Sequence, residues 1–506
     1  MNLGFILTNT VQKHPDRTAL VHLHSRWTYD MLNRRVNRLA NALLNSGVKK
    51  GDGIALMFYN SNHFIEVYFA AVKIGAVAIP VNFRFIGPEI VYIVNDSSAK
   101  VFFYGKEFQQ IISECRFRFN NVSRYITVDC PDTSLAADYE RLLQEGEDTE
   151  PDTSVSAEDV CQIMYTSGTT GKPKGAVITH QAVIWNMINT LLGREDREGE
   201  TALIIGPLYH TAALNNHLTI QVALGGTSIL IKRFDPAEVL EVIEKERATT
   251  ISGPPTMYQM LLQSPDAKRF DLSSITKCTV GSAILPVATK HRLQTFFPSV
   301  TGIYDVYGCT EAAPSISILR EADSSRKPGS VGRALPFVQV RIVDETDSPV
   351  PPGAVGELVC RGPNLMTAYC GQQEATREAL RGGWFHTGDM AQMDDEGFIY
   401  IVDRKKDMIN SGGENISPRE VEEVLHTHPL INDAAVVGVA DPLWGEAVRA
   451  FVVVQKGAEL TESDVIEHCK RHLAGYKKPK HVTFIDEIPK NPSGKILKTK
   501  LRCMPL

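Results

Sequence analysis

Residues 165–175 read YTSGTTGKPKG, and the interpretation of the whole chain depends on this stretch. An apolar run, VCQIMY, leads into it, and a second apolar run, AVIT, follows it. Between them lie small residues that allow backbone N–H groups to approach an anion closely, while Lys172 and Lys174 add positive charge. The small residues are Thr166, Ser167, Gly168, Thr169, Thr170 and Gly171. The pattern predicts a strand, a loop that binds a triphosphate, and a second strand.

Two other interpretations of this stretch have to be compared with that prediction. The Walker motif needs four residues between its first glycine and the GK[ST] sequence, whereas Gly168 and Gly171 enclose only two and Pro173 follows the lysine. The chain therefore does not carry a Walker loop. A plain flexible turn remains the alternative for any cluster of glycine, serine and threonine.

Length and composition indicate a globular protein of two or more domains. They do not favour a nucleic-acid-binding or membrane-spanning protein. A chain of 506 residues is too long for one hydrophobic core, and a net charge of −6 gives no reason to expect a polyanionic partner, despite the basic run at 477–481. There is no basic leader, and no apolar run reaches the ~20 residues of a membrane helix, so we expect a cytoplasmic protein without a transmembrane segment. Nine cysteines without CxxC spacing indicate reduced thiols rather than disulfides or zinc.

Apolar periodicity predicts alternating strands and helices along the first part of the chain. Residues 28–45 and 62–72 have helical spacing, and residues 54–58 and 76–80 read as strands, which is typical of a parallel sheet covered by helices. Short strands with Gly/Pro turns near 338–343, 356–361 and 398–402 predict an antiparallel subdomain. The acidic segment 145–159 reads as a solvated connector. In SPREVEEVL, Ser417 is the predicted N-cap, Pro418 is N1 and Glu420 completes a capping box.

Three motifs in the middle of the chain carry candidate chemistry. PLYH, at 207–210, follows a strand and ends in a histidine, which in isolation is more often structural. Gly281, Ser282 and Ala283 follow another strand and would let a planar ring lie against the backbone, although a plain turn fits them equally well. YDVYGCTE ends in Glu311, and a hard cation such as Mg²⁺ prefers a carboxylate together with substrate phosphate.

Three motifs nearer the C-terminus complete the set. Asp389 ends HTGD, and Arg404 opens the long string DRKKDMINSGGENISPREVE after its first aspartate. A carboxylate and a guanidinium can grip the two hydroxyls of a ribose, although a surface salt bridge is the commoner fate of such a pair. PKNPSGKILK places Lys495 in a Pro/Gly-rich loop, where most lysines are simply solvated. Trp444 is an aromatic ring that could stack on a planar ligand, with buried packing as the alternative.

In this order, from Tyr165 to Lys495, the motifs resemble those of the adenylate-forming superfamily, which includes acyl-CoA synthetases, peptide-synthetase adenylation domains and firefly luciferase. The resemblance implies an α/β fold with a large N-terminal domain of α-covered sheets that includes a small β-barrel-like subdomain. It also implies a small, mobile α+β C-terminal domain. The domains are then 1–403 and 404–506, with a hinge at 403–406 centred on Lys406. ATP, Mg²⁺ and coenzyme A are the implied cofactors.

The resemblance also assigns roles to individual positions. Catalysis falls to Lys495, His210, Thr310 and Glu311, with Lys495 bridging the carboxylate and α-phosphate oxygens and Glu311 holding the metal. Tyr307 is expected to stack on adenine and Asp305 to lie at its edge. The nucleotide and coenzyme A contacts are predicted to be Thr166, Ser167, Gly168, Thr169, Thr170, Gly171, Lys174, Gly281, Ser282, Ala283, Asp305, Tyr307, Gly308, Thr310, Asp389, Arg404, Lys406, Gly412, Gly413, Trp444 and Lys495.

The predicted reaction is ATP-dependent ligation of a carboxylic acid to coenzyme A through an acyl-adenylate, with release of AMP and pyrophosphate. Two alternatives share the same motifs: an adenylation enzyme that loads a carrier protein, and a luciferase-like oxygenase. Small, uncharged residues after His210 and at 312–315 predict an apolar monocarboxylic acid, either aromatic or aliphatic of medium or long chain. The sequence does not fix the oligomeric state, and a homodimer is compatible with it. Acetylation of Lys495 would remove its charge and silence adenylation.

Overall fold

The computed structural model describes residues 2–129, 136–166, 173–281, 285, 287–411, 414–490 and 496–505. The chain divides into two compact units. The first comprises residues 1–339 and 361–385, and the second comprises residues 340–360 and 386–506. The second unit therefore begins before the predicted boundary at 403/404, because it includes the sheet that the short strands after residue 338 form. The predicted hinge concerns movement and stays a prediction.

The strands, in chain order, are β1 Thr18–His22, β2 Ser25–Thr28, β3 Gly53–Met57, β4 Val77–Pro80, β5 Ala99–Gly105, β6 Arg124–Val128, β7 Ala137–Asp138, β8 Val160–Thr166, β9 Lys174–Thr179, β10 Thr201–Ile204, β11 Thr227–Leu230, β12 Thr250–Gly253, β13 Lys277–Val280, β14 Gly302–Gly308, β15 Ser315–Leu319, β16 Arg333–Ala334, β17 Gln339–Val343, β18 Gly356–Arg361, β19 Ala368–Tyr369, β20 Phe385–Met393, β21 Ile399–Arg404, β22 Ile409–Ser411, β23 Glu414–Ile416, β24 Ile431–Asp441, β25 Gly445–Val454 and β26 His481–Phe484.

The helices are α1 Gly4–Lys13, α2 Tyr29–Asn45, α3 Asn62–Lys73, α4 Gly87–Asp96, α5 Gln109–Cys115, α6 Tyr139–Gln144, α7 His180–Arg194, α8 Thr211–Ala213, α9 Thr219–Ala223, α10 Pro236–Glu246, α11 Pro255–Leu262, α12 Val287–Phe296, α13 Glu321–Ser324, α14 Gln373–Ala379, α15 Pro418–His426, α16 Glu462–His472 and α17 Lys498–Arg502. A π-helical segment, Leu214–Leu218, joins α8 to α9. None of the helices in the described ranges is both long and apolar enough to cross a membrane.

Two large sheets organise the first unit. One has the strand order β16-β15-β14-β13-β12-β10-β11-β1-β2, and the other has the order β19-β9-β8-β4-β3-β5-β6-β7. Most neighbours are parallel, and the central strand β3 is buried along its whole length, as expected of a parallel sheet with helices on its faces. Both sheets also contain antiparallel pairs, among them β14 with β15 and β8 with β9. Two of the predicted nucleotide motifs occur at these two pairs.

Helix capping explains why the predicted helix bounds agree with those in the structure. The helix predicted at 28–45 is α2, Tyr29–Asn45, and the side chain of Thr28 accepts a hydrogen bond from Met31 N. The predicted βαβ alternation at 54–80 is confirmed as β3, α3 and β4. Capping residues satisfy N–H groups that the first helical turn leaves unpaired, so they fix where each helix begins.

The second unit contains two smaller sheets. One is antiparallel and has the order β17-β18-β20-β21, and it is the antiparallel subdomain that the sequence predicts. The other has the order β23-β22-β25-β24 with β26 added beside β25. Helices α15 and α16 contribute Val421, Leu425 and Val465 to a core that they share with this sheet. The predicted α+β character of the C-terminal region is confirmed.

The predicted capping box at α15 is only half formed. Ser417 does accept a hydrogen bond from Glu420 N, at 3.4 Å. The carboxylate of Glu420, however, pairs with Lys477 at 2.6 Å instead of accepting a hydrogen bond from Ser417 N. A charge-assisted pair to a lysine is stronger than a bond to a neutral backbone N–H, which explains the difference.

The acidic connector at 145–159 is more firmly held than its composition predicts. Glu150 accepts hydrogen bonds from Lys73, Asn33 and Asn37, and the Lys73 ammonium is only 4% exposed. The Thr153 hydroxyl donates to the Lys73 carbonyl at 2.8 Å. The segment that leads into β8 is therefore fastened to α2 and α3 rather than only solvated.

Candidate active site

The two strands that flank the predicted phosphate loop in sequence pair antiparallel. Strands β8 and β9 pair with Tyr165 opposite Gly175 and Thr166 opposite Lys174, which confirms the two predicted strands. The Thr166 hydroxyl lies 3.4 Å from the Lys174 carbonyl. The intervening residues, Ser167, Gly168, Thr169, Thr170, Gly171 and Lys172, lie outside the described residues. Tyr92 donates a hydrogen bond to the Pro173 carbonyl, so the returning end of the loop is fixed.

A tight turn presents Thr310 and Glu311 at the end of β14. Residues Thr310–Ala312 form a single 3₁₀ turn, and Cys309 N donates to the Pro314 carbonyl at 3.0 Å. A Cβ atom on Gly308 would lie 1.8 Å from that same carbonyl oxygen. Only glycine fits at this position for steric reasons, and its predicted contact with the nucleotide stays a prediction.

Two segments that are distant in sequence lie beside Glu311. The Tyr369 hydroxyl donates to Glu311 Oε1 at 2.8 Å, and Met366 N donates to the Glu311 carbonyl at 2.7 Å. The Lys174 ammonium lies 5.0 Å from the centroid of the Tyr369 ring. The structure thus brings together Lys174 and Glu311, which the sequence predicts, and adds Tyr369, which it does not. No local pattern marks Tyr369, since its partner is 58 residues away in the chain.

The chemistry of this donor set suits Mg²⁺. Glu311 supplies one carboxylate, and Thr310 beside it supplies a hydroxyl. Within the described ranges, no group of three or more His, Cys, Asp or Glu side chains is arranged to hold a metal by itself. Mg²⁺ characteristically binds through one or two carboxylates together with substrate phosphates, rather than in an all-protein cage. Glu311 therefore fits a metal that arrives with the triphosphate.

Asp305 lies in a mostly buried position, with 14% of its side chain exposed, close to other charged groups. In the sheet register Asp305 lies opposite Val280, next to Gly281, while Ser282 and Ala283 fall outside the described residues. Oδ1 of Asp305 is buried, with no hydrogen-bond partner among the described residues. The Lys290 ammonium lies 4.0 Å from the Asp305 carboxylate but 3.2 Å from the Glu321 carboxylate. A single positive charge is therefore shared between two carboxylates. Burial raises the pKa of Asp305 to about 7, Lys290 opposes the rise and Glu321 adds to it.

His210 is a neutral imidazole held on a fixed turn. Asn60 clamps this turn, accepting from Leu208 N at 2.8 Å and donating to the Gly206 carbonyl at 2.9 Å. Burial, together with the positive charge of Arg84, lowers the pKa of His210 to about 4. Nε2 of His210 is buried, and within the described part of the chain it has no partner. A buried polar atom of this kind is available to a ligand.

The second unit carries the predicted ribose pair. Asp389 and Arg404 lie opposite each other in β20 and β21, and Arg404 Nε contacts Asp389 Oδ1 at 2.7 Å. The Asp389 side chain is 8% exposed and that of Arg404 is 31% exposed, so the pair is half-buried, and its contact with the ribose stays a prediction. Burial lowers the pKa of Lys406 in the turn that follows. Gly412, Gly413 and Lys495 lie outside the described residues.

Trp444 lies at the surface of the same unit. Its side chain is 51% exposed, which excludes the alternative of a buried packing residue, and its backbone N–H donates to Asp441. Two lysines of the nearby basic run form ion pairs within the protein: Lys480 pairs with Asp441, and Lys477 pairs with Glu420. Stacking of Trp444 on coenzyme A stays a prediction.

Comparison with known proteins gives matches over the whole chain. Residues 7–370 match the model of the AMP-binding enzyme family, and residues 420–495 match that of the AMP-binding enzyme C-terminal domain. The chain is 41% identical to a feruloyl-CoA synthase of Amycolatopsis sp. over 99% of its own length and 98% of that protein. It is 36% identical to the long-chain-fatty-acid–CoA ligase FadD13 of Mycobacterium tuberculosis, over 99% and 98%. Its fold superposes on the anthranilate CoA ligase AuaEII in complex with anthranoyl-AMP, with a TM-score of 0.92, 27% identity and coverage of 99% and 96%.

Proposed function

The chain belongs to the AMP-binding enzyme family, and from that premise we propose that its acid is an apolar monocarboxylic acid, with hydroxylated aromatic acids as the first class. As a member of this family it is an ATP-dependent acid–thiol ligase. It activates a carboxylic acid as an acyl-adenylate and transfers the acyl group to coenzyme A, using ATP and Mg²⁺.

The absence of fixed charge along the candidate acyl segment carries the proposal for an apolar acid. Residues 211–216 and 312–315 are uncharged, and His210 is neutral at physiological pH because its pKa is about 4. A dicarboxylate or an amino acid would need an opposite charge for its second ionised group, since burying an unpaired charge is costly. An apolar body with a single carboxylate makes no such demand.

Two buried polar atoms favour a hydroxylated ring over an alkyl chain. The Tyr209 hydroxyl and Asn215 Oδ1 flank the acyl segment in sequence, and both are buried with no hydrogen-bond partner in the described ranges. Leaving such a group unpaired against methylenes costs about 1–3 kcal/mol. A phenolic hydroxyl can both donate and accept, so it would satisfy either atom. The identity to a feruloyl-CoA synthase points to the same class.

We propose the following division of labour for the first step. The acid carboxylate attacks the α-phosphorus of ATP, and pyrophosphate leaves. Lys495 neutralises charge on the carboxylate and α-phosphate oxygens as it develops, while Thr310 contacts the α-phosphate. His210, whose Nε2 is buried without a described partner, orients the carboxylate. Bound Mg²⁺ supplies charge neutralisation on the phosphate oxygens, and Glu311 is the side chain that holds it.

For the second step we propose that residues 404–506 move about Lys406 as a body. Lys495 is needed only for adenylation, so its removal from the site would make room for the coenzyme A thiol, which attacks the acyl carbonyl and releases AMP. Asp389 and Arg404, 2.7 Å apart, supply the ribose contacts. Trp444, exposed at the surface, stacks on the coenzyme A adenine.

Pyrophosphate release across a panel of acids tests the proposal. The panel contains ferulate, cinnamate, octanoate, palmitate, malonate and an amino acid. We expect the highest kcat/KM with a hydroxylated aromatic acid, and Tyr209→Phe should reduce the preference for ferulate over cinnamate. Tyr258→Phe is the matched control, because the Tyr258 hydroxyl donates to the Ile251 and Thr279 carbonyls. A preference for malonate or the amino acid would refute the uncharged pocket, and a preference for palmitate would refute the aromatic class.

Three further proposals concern the protein as a whole. We propose a cytoplasmic location and leave a homodimer open to measurement by sedimentation. We also propose that acetylation of Lys495 silences adenylation, because the amide carries no charge. Mass spectrometry of an inactive pool tests this directly, since an inactive pool with unmodified Lys495 would contradict it.

A further inference from the structure

We propose that Tyr369 is a positioning residue for the metal-binding carboxylate of Glu311 and couples that carboxylate to Lys174 beside the phosphate loop. The inference rests on the proposed metal role of Glu311. The new element is Tyr369, which affects metal binding indirectly by orienting the Glu311 carboxylate.

The hydroxyl of Tyr369 fixes one side of the carboxylate. It donates to Glu311 Oε1 at 2.8 Å, a normal distance for a hydrogen bond to an ionised oxygen. A carboxylate held through one oxygen keeps a single orientation and presents its other oxygen to a metal. Groups that orient a metal ligand in this way typically contribute about 10- to 100-fold to metal affinity.

The backbone around Tyr369 leaves the ring little freedom. Strand β19 pairs with β9, with Tyr369 opposite Ala176, and Cys370 N donates to the Gly175 carbonyl at 2.8 Å. Tyr369 N donates to the Thr376 hydroxyl at 2.9 Å, and the side chain is only 9% exposed. The ring is therefore anchored to the same strand that begins with the loop lysine.

Lys174 contacts the face of this ring. Its ammonium lies 5.0 Å from the ring centroid, within the range of a cation–π interaction. One aromatic side chain thus touches both a cation at the end of the phosphate loop and the carboxylate at the end of β14. This arrangement lets triphosphate binding at the loop and metal binding at Glu311 reinforce each other.

Direct binding measurements separate this role from a structural one. The probe is a nonhydrolysable ATP analogue, titrated calorimetrically in EDTA and again with Mn²⁺, while bound Mn²⁺ is counted by electron paramagnetic resonance. The readout is the factor by which metal strengthens analogue binding. For Tyr369→Phe we expect this factor to fall about 10-fold or more, with metal-free affinity within about 2-fold of wild type. Tyr369→Leu, which also loses the contact with Lys174, should weaken metal-free binding as well.

Tyr139→Phe is the matched control. The Tyr139 hydroxyl donates to Glu66 Oε2 at 2.7 Å, which is the same chemistry in a structural setting of the same unit. This variant should lower the melting temperature and leave the metal factor unchanged. A Tyr369→Phe protein that behaves like Tyr139→Phe would overturn the inference.

Glu311→Gln distinguishes failure of the inference from failure of the proposed metal site. If Glu311→Gln keeps the wild-type metal factor, the metal role of Glu311 is wrong, and the inference falls with it. If Glu311→Gln loses the factor but Tyr369→Phe keeps it, only the inference is wrong. Because Tyr369 acts through Glu311, adding Tyr369→Phe to Glu311→Gln should cost no further metal affinity. Additive losses in the double variant would contradict the inference.

Discussion

Ionisation of Asp305 should make the protein less stable as the pH rises towards neutrality. Oδ1 of Asp305 is buried without a partner in the described ranges, and the shared Lys290 ammonium is closer to Glu321 than to Asp305. The substitution Asp305→Asn keeps the size of the side chain and removes its negative charge, which this position stabilises only weakly. We therefore expect the effect of the substitution to depend on pH.

The sign and the size of the effect follow from the pKa. Burial raises the pKa of Asp305 from an ordinary value of 3.8 to about 7, so between these values the folded protein holds a proton that the unfolded chain has released. The free energy of unfolding therefore falls as the pH rises from about 4 to about 7, and it levels off above that. One pKa unit corresponds to about 1.4 kcal/mol, so the full displacement corresponds to roughly 4 kcal/mol.

Urea denaturation of the wild type and Asp305→Asn at pH 5, 6, 7 and 8.5 measures this effect. All other groups titrate in both proteins, so their contributions largely cancel in the difference. We expect the variant to gain stability relative to the wild type with each step up to pH 7. Asp271→Asn is the control: the pKa of this carboxyl is lowered to about 2, through hydrogen bonds from Ser273 and Arg247, so it is ionised throughout the range. A constant difference between wild type and Asp305→Asn from pH 5 to 8.5 would refute the argument.

Three further perturbations have defined outcomes. Lys495→Ala should slow adenylate formation by ~10² to 10³ and leave thiolation of supplied acyl-adenylate largely intact, and equal loss of both steps would contradict alternation of the C-terminal domain. Arg404→Ala should raise the KM for ATP, because it removes a predicted ribose contact and the 2.7 Å ion pair with Asp389; an unchanged KM would contradict the ribose role. Gly308→Ala should destabilise by about 1–3 kcal/mol or more in thermal melts, since its Cβ would meet the Pro314 carbonyl, whereas Gly475→Ala has open space. Equal melting temperatures for these two would contradict the steric argument.

Local signals explain what the sequence predicts correctly. Caps and apolar spacing predict α2 and α3 to within a residue, because both signals depend on neighbours a few positions away. The strands on either side of the phosphate loop followed from two short apolar runs. The family resemblance then placed the motifs in order, and the structure brings Asp389 and Arg404 into contact as predicted.

Long-range contacts explain what the sequence does not predict. Glu420 satisfies the pattern of a capping box but binds Lys477, 57 residues later, because an ammonium outcompetes a backbone N–H. Tyr369 shows no pattern at all, since its relation to Glu311 exists only after β19 has paired with β9. The raised pKa of Asp305 depends on its burial and on the distance of the Lys290 ammonium from its carboxylate. None of these features is encoded within a few residues of the side chain concerned.

The two-residue strand β19 also protects the protein against association. It lies at the outer edge of its sheet, where it covers the N–H and carbonyl groups of β9 that would otherwise face outward. An uncovered edge strand is a template for pairing with another chain, and natural proteins cover or interrupt such edges. By pairing with β9, Ala368 and Tyr369 therefore cover part of the sheet edge. Substitutions that loosen this short strand should therefore cause concentration-dependent aggregation in addition to weaker metal binding through Tyr369.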